Sequence, residues 1–343
     1  MTSRAIRVAV VGTGEFGRNH VRVWREMEGA ELVGVVDTNA ERAAKVAAEF
    51  GTRVLPGISA LGAERVDAVS VAVPTKEHAR IGCQLLAADH DVLVEKPMAA
   101  SLEEADELIA AARRAGRMLQ VGHVERFNPA VTAAQKIVSR PMFFEVHRLG
   151  VFTPRSLDID VVYDVMIHDL DILLTLVDAE VAELKAVGIP VITDKVDIAQ
   201  ARLEFSNGTV ANVTASRVST ERVRKMRFFQ EHEYISIDFA RQDVLRVRVE
   251  PGASQAMAAG APPPIGFEKL ATTPEEPLKA ELRSFLETVR TRRAPLVDGE
   301  AGRRALALAD RVMEGILEHA RRVQLRTGRA LEGRSAFTPQ ETR

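Results

Sequence analysis

Between residues 5 and 122, nearly unbroken apolar runs alternate with stretches in which apolar positions recur every three or four residues. The runs AIRVAVVG (5–12), AELVGVVD (30–37), VDAVSVAVP (66–74), DVLVEKP (91–97) and RMLQVGH (117–123) predict strands covered on both faces, the habit of a parallel sheet. The segments between them predict helices. EFGRNHVRVWREM sets Phe16, His20, Val23, Trp24 and Met27 on or near one face, and NAERAAKVAAEF and KEHARIGCQLLAA follow the next two strands. SLEEADELIAAARRAG opens with Ser101 and Glu104 at capping-box spacing and closes at Gly116.

The pattern then changes. A helix is expected over 128–139, a strand over 142–150 and a helix over 164–177. From 181 to 249 short alternating stretches, with the turn signal SNGT at 206–209, predict a mostly antiparallel sheet. Residues 251–264 are rich in Pro, Ala and Gly and are expected to be a mobile loop. Two helices are expected over 278–291 and 300–322, and a polar tail over 327–343. The fold class is α/β: an N-terminal Rossmann domain over 1–122, and a C-terminal α+β domain with an open, mostly antiparallel sheet over 123–326.

Composition narrows the function classes. A chain of 343 residues exceeds what one core usually serves. A formal net charge of −2 gives no general attraction to nucleic acid or anionic membranes, and no apolar run approaches the ~18–20 residues of a membrane span. The N-terminal run leads into a glycine turn without the anatomy of a signal peptide, so a soluble, cytoplasmic protein is expected. One cysteine, Cys83, in a helical pattern, leaves no internal disulfide and no thiolate metal cluster.

The first strand runs into VVGTGEFG, with Gly12, Gly14 and Gly17 in G-x-G-x-x-G register, and Asp37 ends the second strand 20 residues after Gly17. Gly12 permits the tight turn, Gly14 admits a pyrophosphate to the backbone, and Gly17 allows close helix–strand packing. The helix N-terminus, with Glu15 and Phe16 in its first turn, offers free N–H groups. Asp37 suits the two ribose hydroxyls of NAD and repels a 2′-phosphate, although Arg42 lies nearby. The expected cofactor is NAD, and no metal is expected.

Ligands in open parallel sheets bind beyond the carboxyl ends of the strands. AVPTKEH puts Pro74, Thr75 and His78 there, and VLVEKP puts Glu95 and Lys96 there. Alone, E-K-P reads equally as an exposed turn. In the second half, Asp164 and His168 lie four apart on one helical face. Asp164 could merely cap the helix, and His168 could be a core histidine. An imidazole with an ordinary pKa near ~6.5 can also accept a hydroxyl proton at neutral pH.

Taken together, GTGEFG, AVPTKEH, EKP and YDVMIHD resemble the Gfo/Idh/MocA oxidoreductase family over nearly the whole chain. The resemblance implies that Lys96 reaches substrate and nicotinamide, that Glu95 binds the nicotinamide-side ribose, and that Asp164 and His168 complete the catalytic set. It leaves open whether Lys96 or His168 takes the first proton. The stretches VGHVERFNPAV and VVYDVMIHDLDILLTLV look most like the branch that oxidises the C3 hydroxyl of UDP-N-acetylglucosamine, on routes to 3-amino sugars. A nucleotide sugar needs diphosphate donors. Arg126 with Asn128, and then Arg155, are the candidates. Arg148, Arg217, Arg222, Arg224 and Lys225 are mostly expected on solvated sheet faces. His123 is expected either at the nicotinamide or packed at the domain junction. Alternatives are an inositol or free-hexose dehydrogenase, or a non-catalytic NAD-binding regulator. The family habit also implies a homodimer or homotetramer through the C-terminal sheet.

Overall fold

The computed structural model describes residues 4–153, 159–250, 262 and 264–323. The chain divides into two compact units, 1–127 with 276–306, and 128–275 with 307–343.

The first unit is built on a parallel sheet of β1 (Ile6–Val11), β2 (Ala30–Val36), β3 (Ala68–Val71), β4 (Asp91–Glu95) and β5 (Leu119–Gly122), in the order β2-β1-β3-β4-β5. Val54 adds a single parallel bridge to Val35 beyond the β2 edge. Its helices are α1 (Glu15–Glu26), α2 (Ala40–Phe50), α3 (His78–Ala87) and α4 (Leu102–Ala115). The helix stops follow the residues. Gly51 and Gly116 close α2 and α4 in the left-handed conformation at φ 61°. Ser101 Oγ accepts the Glu104 N–H, while Glu104 reaches back to the Ala100 N–H, one residue before the usual capping-box partner.

The compact units divide at 127 where the expected boundary was 122, and the first unit also takes back a later stretch of chain. Helix α7 (Pro277–Thr291) belongs to the first unit, as does the start of α8 (Gly299–Arg322). The reason is burial. Leu282, Phe285, Leu286 and Val289 of α7 share a core with Val8, Val10, Val21, Trp24 and Leu93. Phe285 meets Trp24 edge-on at 6.5 Å, and the Trp24 indole N–H donates to Ser70 Oγ at 2.8 Å.

The second unit opens with α5 (Pro129–Gln135), shorter than the sequence pattern suggests. It carries β6 (Phe143–Leu149), α6 (Ile167–Leu176), β7 (Val181–Ile189), β8 (Ile198–Phe205), β9 (Val210–Ser216), β10 (Val223–Gln230), β11 (Glu233–Asp238), β12 (Asp243–Val249) and β13 (Ile265–Lys269). The sheet order is β13-β12-β11-β10-β6-β9-β8-β7. All neighbours are antiparallel except β6 and β9, which run parallel. One face buries Phe144, Val146, Ala201, Val213, Met226, Phe228 and Ile235. The expected mobile loop falls almost wholly, and the polar tail wholly, outside the described residues, and β13 was not anticipated.

The helix expected at 164 begins differently. Val162–Met166 form a π-helical turn, with the Ile167 N–H bonded to the Val162 carbonyl, before α6 starts at Ile167. The apolar period does not distinguish a single wide turn from an α-helical one.

Candidate functional site

In the first unit the carboxyl ends of the strands gather the sequence motifs. Gly12 takes φ +92°, and a Cβ there would lie 2.4 Å from the Ala72 carbonyl oxygen. A Cβ on Gly17 would fall 1.9 Å from the Gly12 oxygen, so helix and turn touch backbone to backbone. Gly14, the N-cap of α1, has no side-chain cap, and a Cβ there would meet nothing within 4 Å. The turn is thus closed on its protein side and open on the side of the helix N-terminus, the shape a pyrophosphate requires. Glu15 and Phe16 stand exposed on that first turn.

Asp37 is held firmly. One oxygen accepts from Thr13 N at 2.6 Å and Thr13 Oγ1 at 2.7 Å, the other from Asn39 N at 2.8 Å, and Arg42 spans both. Burial alone would raise this carboxyl. Arg42 and the Asn39 and Thr13 donors outweigh it and bring the pKa down to about 2. Arg42 therefore serves as the aspartate's partner, and Thr13 is an anchor that sequence reasoning missed.

At the end of β4, Glu95 is buried and His20 Nε2 donates to its Oε1 at 2.8 Å. Burial would raise Glu95, but His20 and the nearby Lys96 charge bring it below its ordinary value. Gly122, paired with Glu95 across β4 and β5, leaves room for that carboxylate; a Cβ there would sit 3.0 Å from it. Lys96 is half-buried, and the Lys96–Pro97 peptide is cis. His20 is the partner the sequence did not announce. Its signal was a histidine on the apolar face of a helix, three residues after Gly17.

His78, expected among the cofactor contacts, is fully buried between two carbonyls, Pro97 at 2.8 Å and Val73 at 2.9 Å. Burial lowers its pKa, and the ring ties the E-K-P turn to the loop after β3. Its position is that of a strut. Pro74 is exposed and Thr75 buried at the start of the same loop, and His123 is buried at the end of β5.

In the second unit, Asp164 lies in the π-turn and His168 is the second residue of α6. Both are half-buried, while Tyr163, Met166 and Ile167 beside them are buried. The turn is anchored on several sides. The Asp160 carbonyl accepts the N–H groups of Tyr163 and Asp164, each at 3.1 Å, and Asp160 Oδ1 accepts the Val196 N–H at 2.8 Å. Tyr163 Oη donates to Asp310 at 2.6 Å. Next to His168, Asp169 is fully buried and takes a bidentate grip from Arg148 at 2.7 and 2.8 Å.

Two expectations about the arginines change accordingly. Arg148 is buried, stacked on Phe239 at 4.8 Å and paired with Asp169, not on a solvated face. Arg217 is also buried, bonded to the Ile159 and Val196 carbonyls and 3.4 Å from Asp197. Both positions continue the inward alternation of their strands, Arg148 after Phe144 and Val146 and Arg217 after Val213 and Ala215, but the sequence does not show the carboxylates that meet them there. Asn128, expected at a diphosphate, caps α5 through its carboxamide oxygen and donates to the Phe239 carbonyl at 3.0 Å. Arg126 is buried in the short 3-10 turn Val124–Phe127 of the first unit, and Arg155 lies outside the described residues.

A glycine turn opening a helix, an acidic second-strand terminus and a lysine at a fourth-strand end define a dinucleotide-dependent oxidoreductase. Residues 6–123 match the oxidoreductase family with an NAD-binding Rossmann fold, and residues 141–235 match the GFO/IDH/MocA C-terminal domain. The chain belongs to the Gfo/Idh/MocA oxidoreductase family, and its cofactor is NAD. It is 40% identical to UDP-N-acetylglucosamine 3-dehydrogenase of Acidithiobacillus ferrooxidans, over 89% of this chain and 95% of the relative. A solved structure of that protein superposes with a TM-score of 0.83, covering 91% of this chain and 97% of the other. An inositol 2-dehydrogenase of Saccharopolyspora erythraea is 31% identical over 53% of this chain and 56% of its own length.

Proposed function

We propose that this protein is an NAD-dependent sugar dehydrogenase that oxidises the C3 hydroxyl of UDP-N-acetylglucosamine to a ketone. The observation that carries this reading is the 40% identity to a UDP-N-acetylglucosamine 3-dehydrogenase over 95% of that relative's length. The presence of Lys96, Asp164 and His168 together supports turnover over a purely sensory role.

Oxidising a carbinol removes a hydride and a proton. NAD, when bound, supplies the hydride acceptor. Gly12, Gly14 and Gly17, with Glu15 and Phe16 in the first turn of α1, hold its pyrophosphate; Asp37 holds its adenosine ribose, and Glu95 its nicotinamide-side ribose. Lys96 stabilises the alkoxide that develops as the proton leaves. His168 is the companion acid–base group, and Asp164, one turn earlier, stabilises its charged form. Arg126 is the described candidate for the sugar's diphosphate.

We also propose self-association through the second sheet. Phe143, Phe229, Tyr234, Val247 and Phe267 are register partners across β6, β10, β11, β12 and β13. This row lies opposite the buried face, and Phe267 is 73% exposed. A continuous apolar row of that kind is an association surface. Light scattering should give a dimer or tetramer, and Phe267→Asp should shift it toward monomer. A monomeric wild type would remove the proposal. No helix among the described residues is long and apolar enough to cross a membrane.

The activity test is direct. Purified protein with NAD and UDP-N-acetylglucosamine should form NADH, with a product lighter by two hydrogens. NADH formation from inositol or a free hexose but not from the nucleotide sugar would overturn the substrate assignment.

A further inference from the structure

Helix α7 places a carboxylic acid where none of the chemistry above uses one. Glu281 is 0% exposed, and neither carboxyl oxygen has a hydrogen-bond partner. It belongs to the layer that covers the same face of the sheet as His20 and Glu95. Gln120 of β5, also 0% exposed, donates to the Glu281 backbone carbonyl at 3.4 Å, and its own side-chain oxygen has no partner. His20 Nε2 is committed to Glu95 and its Nδ1 has no partner. Of Glu95 and Glu281, therefore, only Glu95 has an imidazole on it.

The elements packed around α7 bring polar and titratable groups to this end of the unit. His20 comes from α1, Glu95 followed by Lys96 from β4, and Gln120 from β5. The 3-10 turn packed on α7 contributes Glu125 and Arg126, and α7 itself carries Lys279 and Arg283. His78 lies close enough to Glu95 to feel its charge.

We propose that Glu281 is a positioning residue of the cofactor half: a neutral carboxylic acid wedged behind Glu95, which puts no second negative charge there and fixes how Glu95 meets the bound dinucleotide. An ionised carboxylate with no donors in a dry site is costly, and a second anion beside Glu95 adds repulsion. Burial first, and then the Glu95 charge, push the Glu281 carboxyl well above its ordinary 4.5. The inference rests on NAD binding by the first unit and not on the identity of the sugar.

The consequence for pH has a definite sign. Above pH 4.5 the unfolded chain has released this proton while the folded chain keeps it, so rising pH costs wild-type stability until the folded group ionises. A glutamine has the same shape and no proton to lose. Glu281→Gln should bind NADH as wild type does, by fluorescence titration without sugar. Its melting temperature should exceed that of wild type at about pH 8, with the gap closing toward about pH 4–5. Glu281→Ala, which removes the wedge, should weaken NADH binding about tenfold, the size of one lost buried contact; Glu281→Asp, which withdraws the acid by one methylene, takes its place if the alanine protein does not fold. The proposal is overturned if the glutamine variant binds NADH more weakly, melts below wild type at that alkaline pH or fails to fold. It is equally overturned if the shortened variants bind NADH as wild type does.

Discussion

The two units hold their polar groups by different means. In the first, the candidate chemistry sits at strand ends, and each carboxylate is held by a few nearby donors: Glu95 takes His20, and Asp37 takes Thr13, Asn39 and Arg42. Strand register and glycine geometry do the positioning. In the second, Asp164 of the expected acid–base pair sits on an irregular helical turn, with His168 just after it at the start of α6, and backbone hydrogen bonding of ordinary period does not support that turn. That turn is surrounded by buried ionic and polar anchors: Arg148 on Asp169, Arg217 beside Asp197, Tyr163 on Asp310, and Asp160 on the Val196 N–H. Asp197 also accepts the N–H groups of Val191, Ile192 and Thr193, at 2.7–2.8 Å, which fixes the loop before β8. A regular sheet presents its ends for little, whereas a wide turn has to be braced.

The largest effect is expected at a strand end. Lys96→Ala should lower turnover by roughly 10³–10⁴-fold while NADH binding changes little, because in the proposed mechanism the ammonium acts on charge that develops in the transition state. Steady-state kinetics with a parallel NADH titration would check it; turnover near wild type would remove Lys96 from the mechanism. The next effect belongs to the bracing. Arg148→Ala leaves Asp169, fully buried, without its bidentate cation. Breaking such a pair costs about 3–5 kcal/mol. Denaturant unfolding should show that loss in the second unit, with NADH binding by the first retained. A loss below about 1 kcal/mol, the surface-pair range, would mean that the pair is not holding α6.

The same contrast explains what the sequence could disclose. Gly12, Gly14, Gly17, Asp37 and Glu95-Lys96-Pro97 were legible because a strand–turn–helix unit imposes spacing on the chain. The strands of the first unit were legible from their burial on both faces, and its helices from a single buried face recurring every three or four residues. Partners brought together across the fold left no spacing: His20 and Glu95 are 75 residues apart, and Tyr163 and Asp310 are 147 apart. The cap made by Asn128 was not legible, because capping and ligand binding ask for the same carboxamide. The return of 276–306 to the first unit was hidden because an amphipathic helix shows which face it buries but not against what. The π-turn was hidden because one extra residue per turn, used once, shifts the apolar period too little to register.

Asp37 tests whether a strand end depends on its few partners. Its pKa of about 2 lies below the ordinary 3.8, so its stabilisation is complete above pH 3.8 and disappears as pH falls through about 2. Asp37→Asn should cost of order 1–2 kcal/mol at neutral pH, and the difference from wild type should shrink as the medium is acidified below about pH 4. NAD should bind more weakly and the margin over NADP should narrow. Unchanged cofactor preference would place Asp37 away from the ribose.

The smallest effect should come from a single brace. Tyr163 Oη donates to Asp310, and burial, followed by the Asp310 charge, keeps the phenol well above its ordinary pKa, so it remains a donor across the accessible pH range. Tyr163→Phe deletes that one bond and keeps the ring packing, which should cost about 1 kcal/mol of stability. If the hydroxyl also sets the π-turn that carries Asp164, turnover should fall several-fold with NADH affinity unchanged. Asp310→Asn retains an acceptor oxygen for the phenol and should recover most of that turnover. A phenylalanine variant that is less stable but fully active would show that the brace holds the unit together without tuning the turn.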